Sequence, residues 1–165
     1  MDFKKITTFV FDVDGVFTDN QILITERGEL LRSMHVRDGL ALKIALSHNY
    51  KVAIITGGAS EGVLTRFSNL GINDIFTSVR NKKPCFEAFQ SKYGLKKEEI
   101  LYMGDDLIDI PVFDLVGISV TPSDAIPEAK AVAGYITKLS GGQGCVREII
   151  EKTLREKNDW VLNNH

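Results

Sequence analysis

A chain of 165 residues is long enough to bury one full hydrophobic core. It is 44% hydrophobic and 25% charged, with 20 basic against 22 acidic residues and a net charge of −2. That near-balance lends no support to nucleic-acid binding or membrane-surface attachment, and no apolar run approaches the ~20 residues of a membrane span. Cys85 and Cys145 make neither a disulfide framework nor a metal pair, and read as packing thiols of a reducing cytosol. The opening lysines precede an apolar run that carboxylates interrupt at once, a poor signal peptide.

The first element is a strand over residues 6–12, rich in β-branched and aromatic side chains. It ends in Asp12-Val13-Asp14-Gly15. Two like charges at the end of a buried strand are costly unless something balances them. "QILITERGELLRSMHV" reads as two strands turning at Glu26-Arg27-Gly28, a hairpin insertion over about residues 20–36. A helix follows with Asp38 as its N-cap, then the buried strand "KVAIIT". "SEGVLTRFSNLG" is a helix capped by Ser60, with Val63, Leu64, Phe67 and Leu70 on one stripe and Gly71 as its stop. "DIFTSV" is a short strand, and "PCFEAFQSKYG" a helix with Pro84 in its first turn. "ILYMG" is a strand, "DDLIDIPVFDLV" a helix with a proline irregularity, and "GISV" a strand. "SDAIPEAKAVA" is a short helix and "GYIT" an edge strand. The last helix, "GCVREIIEKTLREK", carries Val146, Ile149, Ile150, Thr153 and Leu154 on one face. A tail over about 157–165 has Trp160 as its obvious anchor.

This alternation means an α/β fold, a parallel sheet with helices on both faces. In such sheets ligands sit beyond the carboxyl ends of the strands. Those ends carry Asp12 and Asp14, then Thr56-Gly57-Gly58, then Asn81-Lys82-Lys83, then Gly104-Asp105-Asp106 with Asp109 a turn later. Clustered carboxylate oxygens suit Mg²⁺, which also neutralises the paired acids of the first strand end. A carboxylate can act as a nucleophile toward phosphorus, and a hydroxyl and an amine can hold phosphate oxygens.

The strings "FDVDGV", "ITGG", "NK" and "GDDLID", in this order, resemble the four motifs of the haloacid dehalogenase (HAD) superfamily of phosphohydrolases. Together with "HVRDG" and "GGQGCVRE", they resemble its small, capless bacterial phosphatases of the 3-deoxy-D-manno-octulosonate (KDO) 8-phosphate phosphatase type. The resemblance implies a Rossmann-like HAD fold with no cap domain, one phosphatase domain over 1–165. It implies a sugar-acid phosphate substrate, KDO 8-phosphate in lipopolysaccharide synthesis, with a nine-carbon sialic-type acid 9-phosphate as the alternative. It makes Asp12 the nucleophile and Asp14 the general acid/base. It gives Mg²⁺ to the Asp12 carboxylate, the Asp14 backbone carbonyl and Asp105. Asp106 and Asp109 stand behind these, orienting waters or the lysine. Thr56 and Lys82 hold the phosphate; Lys82 is chosen over Lys83 because it follows Asn81.

One departure matters. Many members continue motif two as Thr-Gly-Arg, and here Gly58 follows Gly57. If that arginine binds the sugar acid's carboxylate, another cation replaces it, with Arg37, Arg66, Arg80 and Arg147 as candidates. Gly57, Gly58, Arg37, Asp38, Arg66 and Arg80 are therefore the expected substrate-binding set. The glycines of "GGQG" read equally as a tight turn or a substrate loop. Capless subunits of this kind form cytoplasmic homotetramers with active sites near the interfaces. The hairpin's apolar Ile22, Leu23, Ile24, Leu30 and Leu31 fit that assembly, being too many for a hairpin left in water. The tail is expected near a neighbouring mouth. A response-regulator receiver uses similar groups, but there the lysine follows the acids, whereas Lys82 precedes Asp105. A catalytically silent subunit of the same fold is the remaining rival.

Overall fold

The computed structural model describes residues 1–161. Strand β1 (Thr8–Phe11) is buried throughout. A hairpin of two short strands follows, β2 (Leu23–Ile24) and β3 (Leu30–Leu31), antiparallel and turning at Gly28 with φ +78. Then come α1 (Val36–Ser47), β4 (Lys51–Ile55), α2 (Glu61–Asn69), β5 (Asp74–Phe76) and α3 (Lys82–Tyr93). The second half holds β6 (Ile100–Met103), α4 (Ile110–Phe113), β7 (Ile118–Thr121), α5 (Pro127–Val132), β8 (Tyr135–Ile136) and α6 (Cys145–Arg155).

The main sheet is parallel in the order β5-β4-β1-β6-β7-β8. The chain builds outward from β1 to one edge, then returns to β1's other side. The order therefore reverses between β1 and β6, and at such a switch point the loops leave the sheet in opposite directions and open a crevice. Side chains alternate across the sheet as the pleat demands. Phe9, Phe11, Val52, Ile54, Leu101 and Met103 pack toward α1, α2 and α6, against Leu42, Phe67, Ile149 and Ile150. Val10, Ala53, Ile55, Ile100 and Tyr102 pack toward the other layer, against Phe86, Phe89, Val112, Phe113 and Ala129. Both faces are covered, which is why the strands read as continuous apolar runs.

Three local expectations are corrected. Asp38 is not the N-cap of its helix: α1 starts at Val36, with His35 as the N-cap three residues before Asp38. The Asp38 carboxylate is instead buried against α6, accepting 2.8 Å from the Arg147 N–H. There it substitutes for the side chain that Gly144, the α6 N-cap, lacks. The stretch 105–116 is not one helix: α4 spans only Ile110–Phe113, while the Asp109 carboxylate folds the preceding residues into a turn through the Asp105 and Asp106 N–H groups and Pro111 has no N–H to give a longer helix. On α2, Leu64 is exposed and only Val63, Phe67 and Leu70 go under.

Burial pushes the Asp38 carboxyl up to about 6, above its unfolded value of about 3.9. The folded chain then binds that proton more tightly, so this group's contribution falls as pH rises from about 4 through 6. Asp38→Ala leaves a helix end uncapped and should cost about 1–2 kcal/mol in urea unfolding. Asp38→Asn keeps an acceptor without the buried charge, and should be at least as stable as wild type at pH 8. A loss in Asn equal to that in Ala at pH 8 rules out this capping account.

Candidate active site

The β1 register fixes the centre. Phe11 pairs with Met103 of β6 and with Ile54 of β4, and the Asp12 N–H donates 2.9 Å to the Met103 carbonyl. Asp12 therefore leaves the sheet beside Gly104-Asp105. Phe17 anchors the loop that follows, edge-on to Phe11 and Phe67 at 5.5 and 4.8 Å between centroids. Gly15 turns that loop with φ +80, and a side chain there would collide with Asp105. The "GGQG" segment braces it from outside. Gly142 N–H donates 3.0 Å to the Val16 carbonyl, the Cys145 thiol donates 3.2 Å to the same oxygen, and Gly141 packs on the Gly15 carbonyl. Those glycines are turn and packing residues against the first motif.

Asp12, Asp105 and Asp109 bring one carboxylate oxygen each within 4.8 Å of one another, all three buried. Lys82, wholly enclosed at the start of α3, lies 2.7 Å from Asp12 Oδ2 and 2.7 Å from Asp109 Oδ1. Asp109 is fully committed: Tyr102 Oη donates 2.6 Å to Oδ1, and the Asp105 and Asp106 N–H groups reach Oδ2 at 3.0 and 3.2 Å. It is a brace that positions the lysine and the Asp105 loop. Among the described residues, Asp12 Oδ1 takes only the Val13 N–H at 2.7 Å, and Asp105 Oδ2 only the Asn20 amide at 2.8 Å. These two acids have lone pairs to spare.

Burial, then the Asp109 charge, pushes the Asp12 carboxyl up to about 7 against the pull of Lys82. Burial also lifts Asp105 to about 6, opposed by the Asn20 hydrogen bond. Lys82 is disfavoured as a cation by burial, but Asp12 and Asp109 outweigh that and raise its pKa. One lysine thus faces three acids. The imbalance, with hard oxygen donors closely spaced and lightly bonded, fits a small divalent cation beside Asp12 and Asp105.

The other expected residues divide. Thr56 is buried at the end of β4, its Oγ1 accepting 3.3 Å from the Gly58 N–H. Asp14, Thr56 and Gly58 line one small recess with Val13, Ser60 and Val63. Asp106 is exposed and accepts from the Leu107 N–H at 2.6 Å, so its side chain is turned away from the lysine. Arg66 lies over Gly39 of α1, and Arg80 is exposed. Arg37 and Arg147 line a recess of about 810 Å³ between the start of α1 and α6, whose lining does not include Asp12, Lys82, Asp105 or Asp109. Asp38 belongs to the α6 cap. Trp160 is held by its own chain, under the Arg147 guanidinium at 5.2 Å from the ring centroid. Residues 162–165 of the expected tail lie outside the described residues.

Sequence reasoning missed three residues here. Arg32 comes from β3's end and forks onto Asp14, Nε to Oδ1 at 2.7 Å and Nη2 to Oδ2 at 3.2 Å. Asn20 and Tyr102 orient Asp105 and Asp109. Arg32 offered one faint signal, a cation among apolar hairpin residues.

A Rossmann-ordered sheet that gathers four acids and a lysine at its switch point is a phosphohydrolase site of the HAD kind, and the chain belongs to that family. Its residues 61–149 match the family described as haloacid dehalogenase-like hydrolase. The 3-deoxy-D-manno-octulosonate 8-phosphate phosphatase of Escherichia coli is 39% identical over 151 residues, 92% of this chain and 80% of that one. The Salmonella typhimurium enzyme of the same name is 40% identical over the same shares. Among solved structures, the Yersinia pestis phosphatase superposes with a TM-score of 0.93 at 34% identity, covering 95% of this chain and 85% of that one. The Moraxella catarrhalis phosphatase, in complex with magnesium, phosphate and KDO, gives 0.92 at 33% identity, covering 96% and 91%.

Proposed function

We propose that this chain is a Mg²⁺-dependent phosphatase of KDO 8-phosphate, one catalytic domain over its whole length. The observation that carries the reading is the buried Asp12–Lys82–Asp109 arrangement with Asp105 beside it, in a chain 39% identical to enzymes of that activity. Mg²⁺, held by Asp12, Asp105 and the Asp14 carbonyl, supplies charge neutralisation for the incoming phosphate.

The protein's own part runs through Asp12. Lys82 and the Val13 N–H fix its carboxylate, and a carboxylate oxygen forms a bond to phosphorus as the bond from phosphorus to the sugar oxygen breaks. Asp14 gives its proton to that leaving oxygen. Water then attacks the aspartyl-phosphate, Asp14 takes the water's proton, and Asp12 and inorganic phosphate are released. Thr56 and the backbone at Gly57-Gly58 donate to phosphate oxygens, and the Lys82 charge, enclosed with Asp12, acts from behind the nucleophile.

We further propose a cytoplasmic homotetramer. The hairpin supports it: Leu23 and Ile24 are each 67% exposed, and Ile22, Leu30 and Leu31 are also open to solvent in the single chain. Among the described residues no helix is long and apolar enough to cross a membrane.

A phosphate-release assay tests the function with KDO 8-phosphate, nine-carbon keto-acid 9-phosphates, hexose 6-phosphates and p-nitrophenyl phosphate, each with Mg²⁺ and with EDTA. We expect turnover only with Mg²⁺, and a preference of about a hundredfold in kcat/KM for KDO 8-phosphate, near 3 kcal/mol of discrimination. Preference for a nine-carbon acid moves the substrate and leaves the chemistry. No turnover of any ester would leave a silent subunit.

A further inference from the structure

The position of Arg32 answers the gap left at Gly58. Of the arginines, it is the one whose guanidinium hydrogen-bonds a carboxylate of the strand-end motifs. Its side chain is 8% exposed, so it is held in the mouth and does not wave from the hairpin. Its third polar contact is Nη1 to the Leu30 carbonyl at 3.3 Å, within the same hairpin. Gly58 lies against this pair. A Cβ built there would stand 3.4 Å from Arg32 Nη2 and 3.5 Å from Asp14 Oδ2. A long side chain at 58 and the Arg32 guanidinium would compete for one volume.

We propose that Arg32 is the residue that receives the substrate's carboxylate, and that in the free enzyme it rests on Asp14. A guanidinium fork matches any carboxylate, with two parallel N–H donors for two oxygens. In the free chain Asp14 supplies those oxygens. That pairing puts an N–H donor on each oxygen of the proposed acid/base and holds the group turned toward the hairpin, whereas one oxygen must meet the leaving oxygen. A sugar acid brings a second carboxylate of the same geometry, so transfer of the fork keeps Arg32 paired and releases Asp14. The space for the sugar is next to it. Arg32 shares a recess of about 330 Å³ with Asp19, Gln21 and Ser33, polar groups suited to hydroxyls, and with the hairpin's Ile22, Leu23 and Leu31. Among the described residues, Asp14 is hydrogen-bonded by Arg32 and not by Arg37, Arg66, Arg80 or Arg147, although Arg66 lines a neighbouring recess with Arg32. The proposal rests on the reading of the substrate as a sugar-acid phosphate.

The test compares wild type with Arg32→Ala on KDO 8-phosphate and on p-nitrophenyl phosphate, which has no carboxylate. We expect the ratio of the two kcat/KM values to fall by about 30- to 100-fold, the scale of a lost charge-assisted pair, with the loss on KDO 8-phosphate carried by KM. Inhibition of p-nitrophenyl phosphate hydrolysis by free KDO should weaken in parallel, by more than about tenfold. A ratio unchanged from wild type, with both substrates falling together, means that Arg32 only positions Asp14 or phosphate, and overturns the proposal. Undiminished inhibition by KDO overturns it as well. Wild type that cleaves p-nitrophenyl phosphate but not KDO 8-phosphate removes the functional reading and this proposal together, whereas wild type that cleaves KDO 8-phosphate beside a variant with an unchanged ratio removes only this one.

Discussion

Asp12→Asn should lower kcat for phosphate release by at least about ten-thousandfold, and should also make the cation-free protein harder to unfold. The two effects share a cause. Asp12 is held at about 7 because burial and the Asp109 charge both oppose its ionisation. In the unfolded chain the same group titrates near 3.9. Between these values the folded state holds a proton that the unfolded state has lost, so this group's contribution to stability falls as pH rises from about 4 through 7. Above pH 7 the folded state carries the whole penalty. Asparagine removes it and leaves Lys82 paired one-to-one with Asp109. In EDTA at pH 8 the variant should gain on the order of 2 kcal/mol in urea unfolding, and the gain should vanish near pH 4. If Asp12 is a ligand as proposed, Mg²⁺ should narrow the gap by stabilising wild type more than the variant. A variant that retains turnover sinks the nucleophile assignment. A variant less stable than wild type at pH 8 in EDTA sinks the electrostatic account while leaving the chemistry standing. Activity and stability are thus set against each other at one carboxyl group, as functional sites that store unfavourable charge require.

The legible part of this molecule was whatever local pattern encodes. The alternation of apolar strands and amphipathic helices gave the parallel sheet, since each strand's two apolar faces demand helices on both sides. Strand ends then offered Asp12, Asp14, Thr56, Asn81-Lys82-Lys83 and Asp105, because chemistry placed at a carboxyl end needs no knowledge of distant neighbours, and the family resemblance singled out Lys82. What stayed hidden depends on contacts far apart in sequence. Asp38 looks like an N-cap, three residues after a histidine and just before an apolar run; only packing of α1 on α6 shows that it caps another helix. Asn20 reaches Asp105 across 85 residues. The helix expected from Asp105 onward gives way to a turn in which the Asp109 carboxylate takes the Asp105 and Asp106 N–H groups, and Pro111 has no N–H to donate where that helix would need one. Arg32 was passed over because a hairpin's solvent-facing and mouth-facing positions look alike until the hairpin's angle to the sheet is known.

Lys82→Met should be the most destabilising single change at the site, about 3–5 kcal/mol at pH 8 in EDTA, with phosphatase activity lost as well. Lys82 is fully enclosed and bridges two carboxylates at 2.7 Å each. Methionine fills much the same space, so cavity formation contributes little and the effect is electrostatic. What remains is two buried acids of like sign with no cation between them. One must then take up a proton, and the stability deficit should shrink as pH falls from 8 toward 5. Lys82→Arg should not restore the wild-type state, since a planar guanidinium has neither the volume nor the tetrahedral donor geometry of an ammonium closed in on every side. The partner mutation supplies the sharper check. Asp12→Asn removes one of the two stranded charges, so the Asp12→Asn/Lys82→Met double variant should be more stable than the sum of the single effects predicts, by at least about 1 kcal/mol. Additivity within error would mean that Asp12 and Lys82 do not interact across their 2.7 Å contact, and that the Asp12 carboxylate is held through the Val13 N–H.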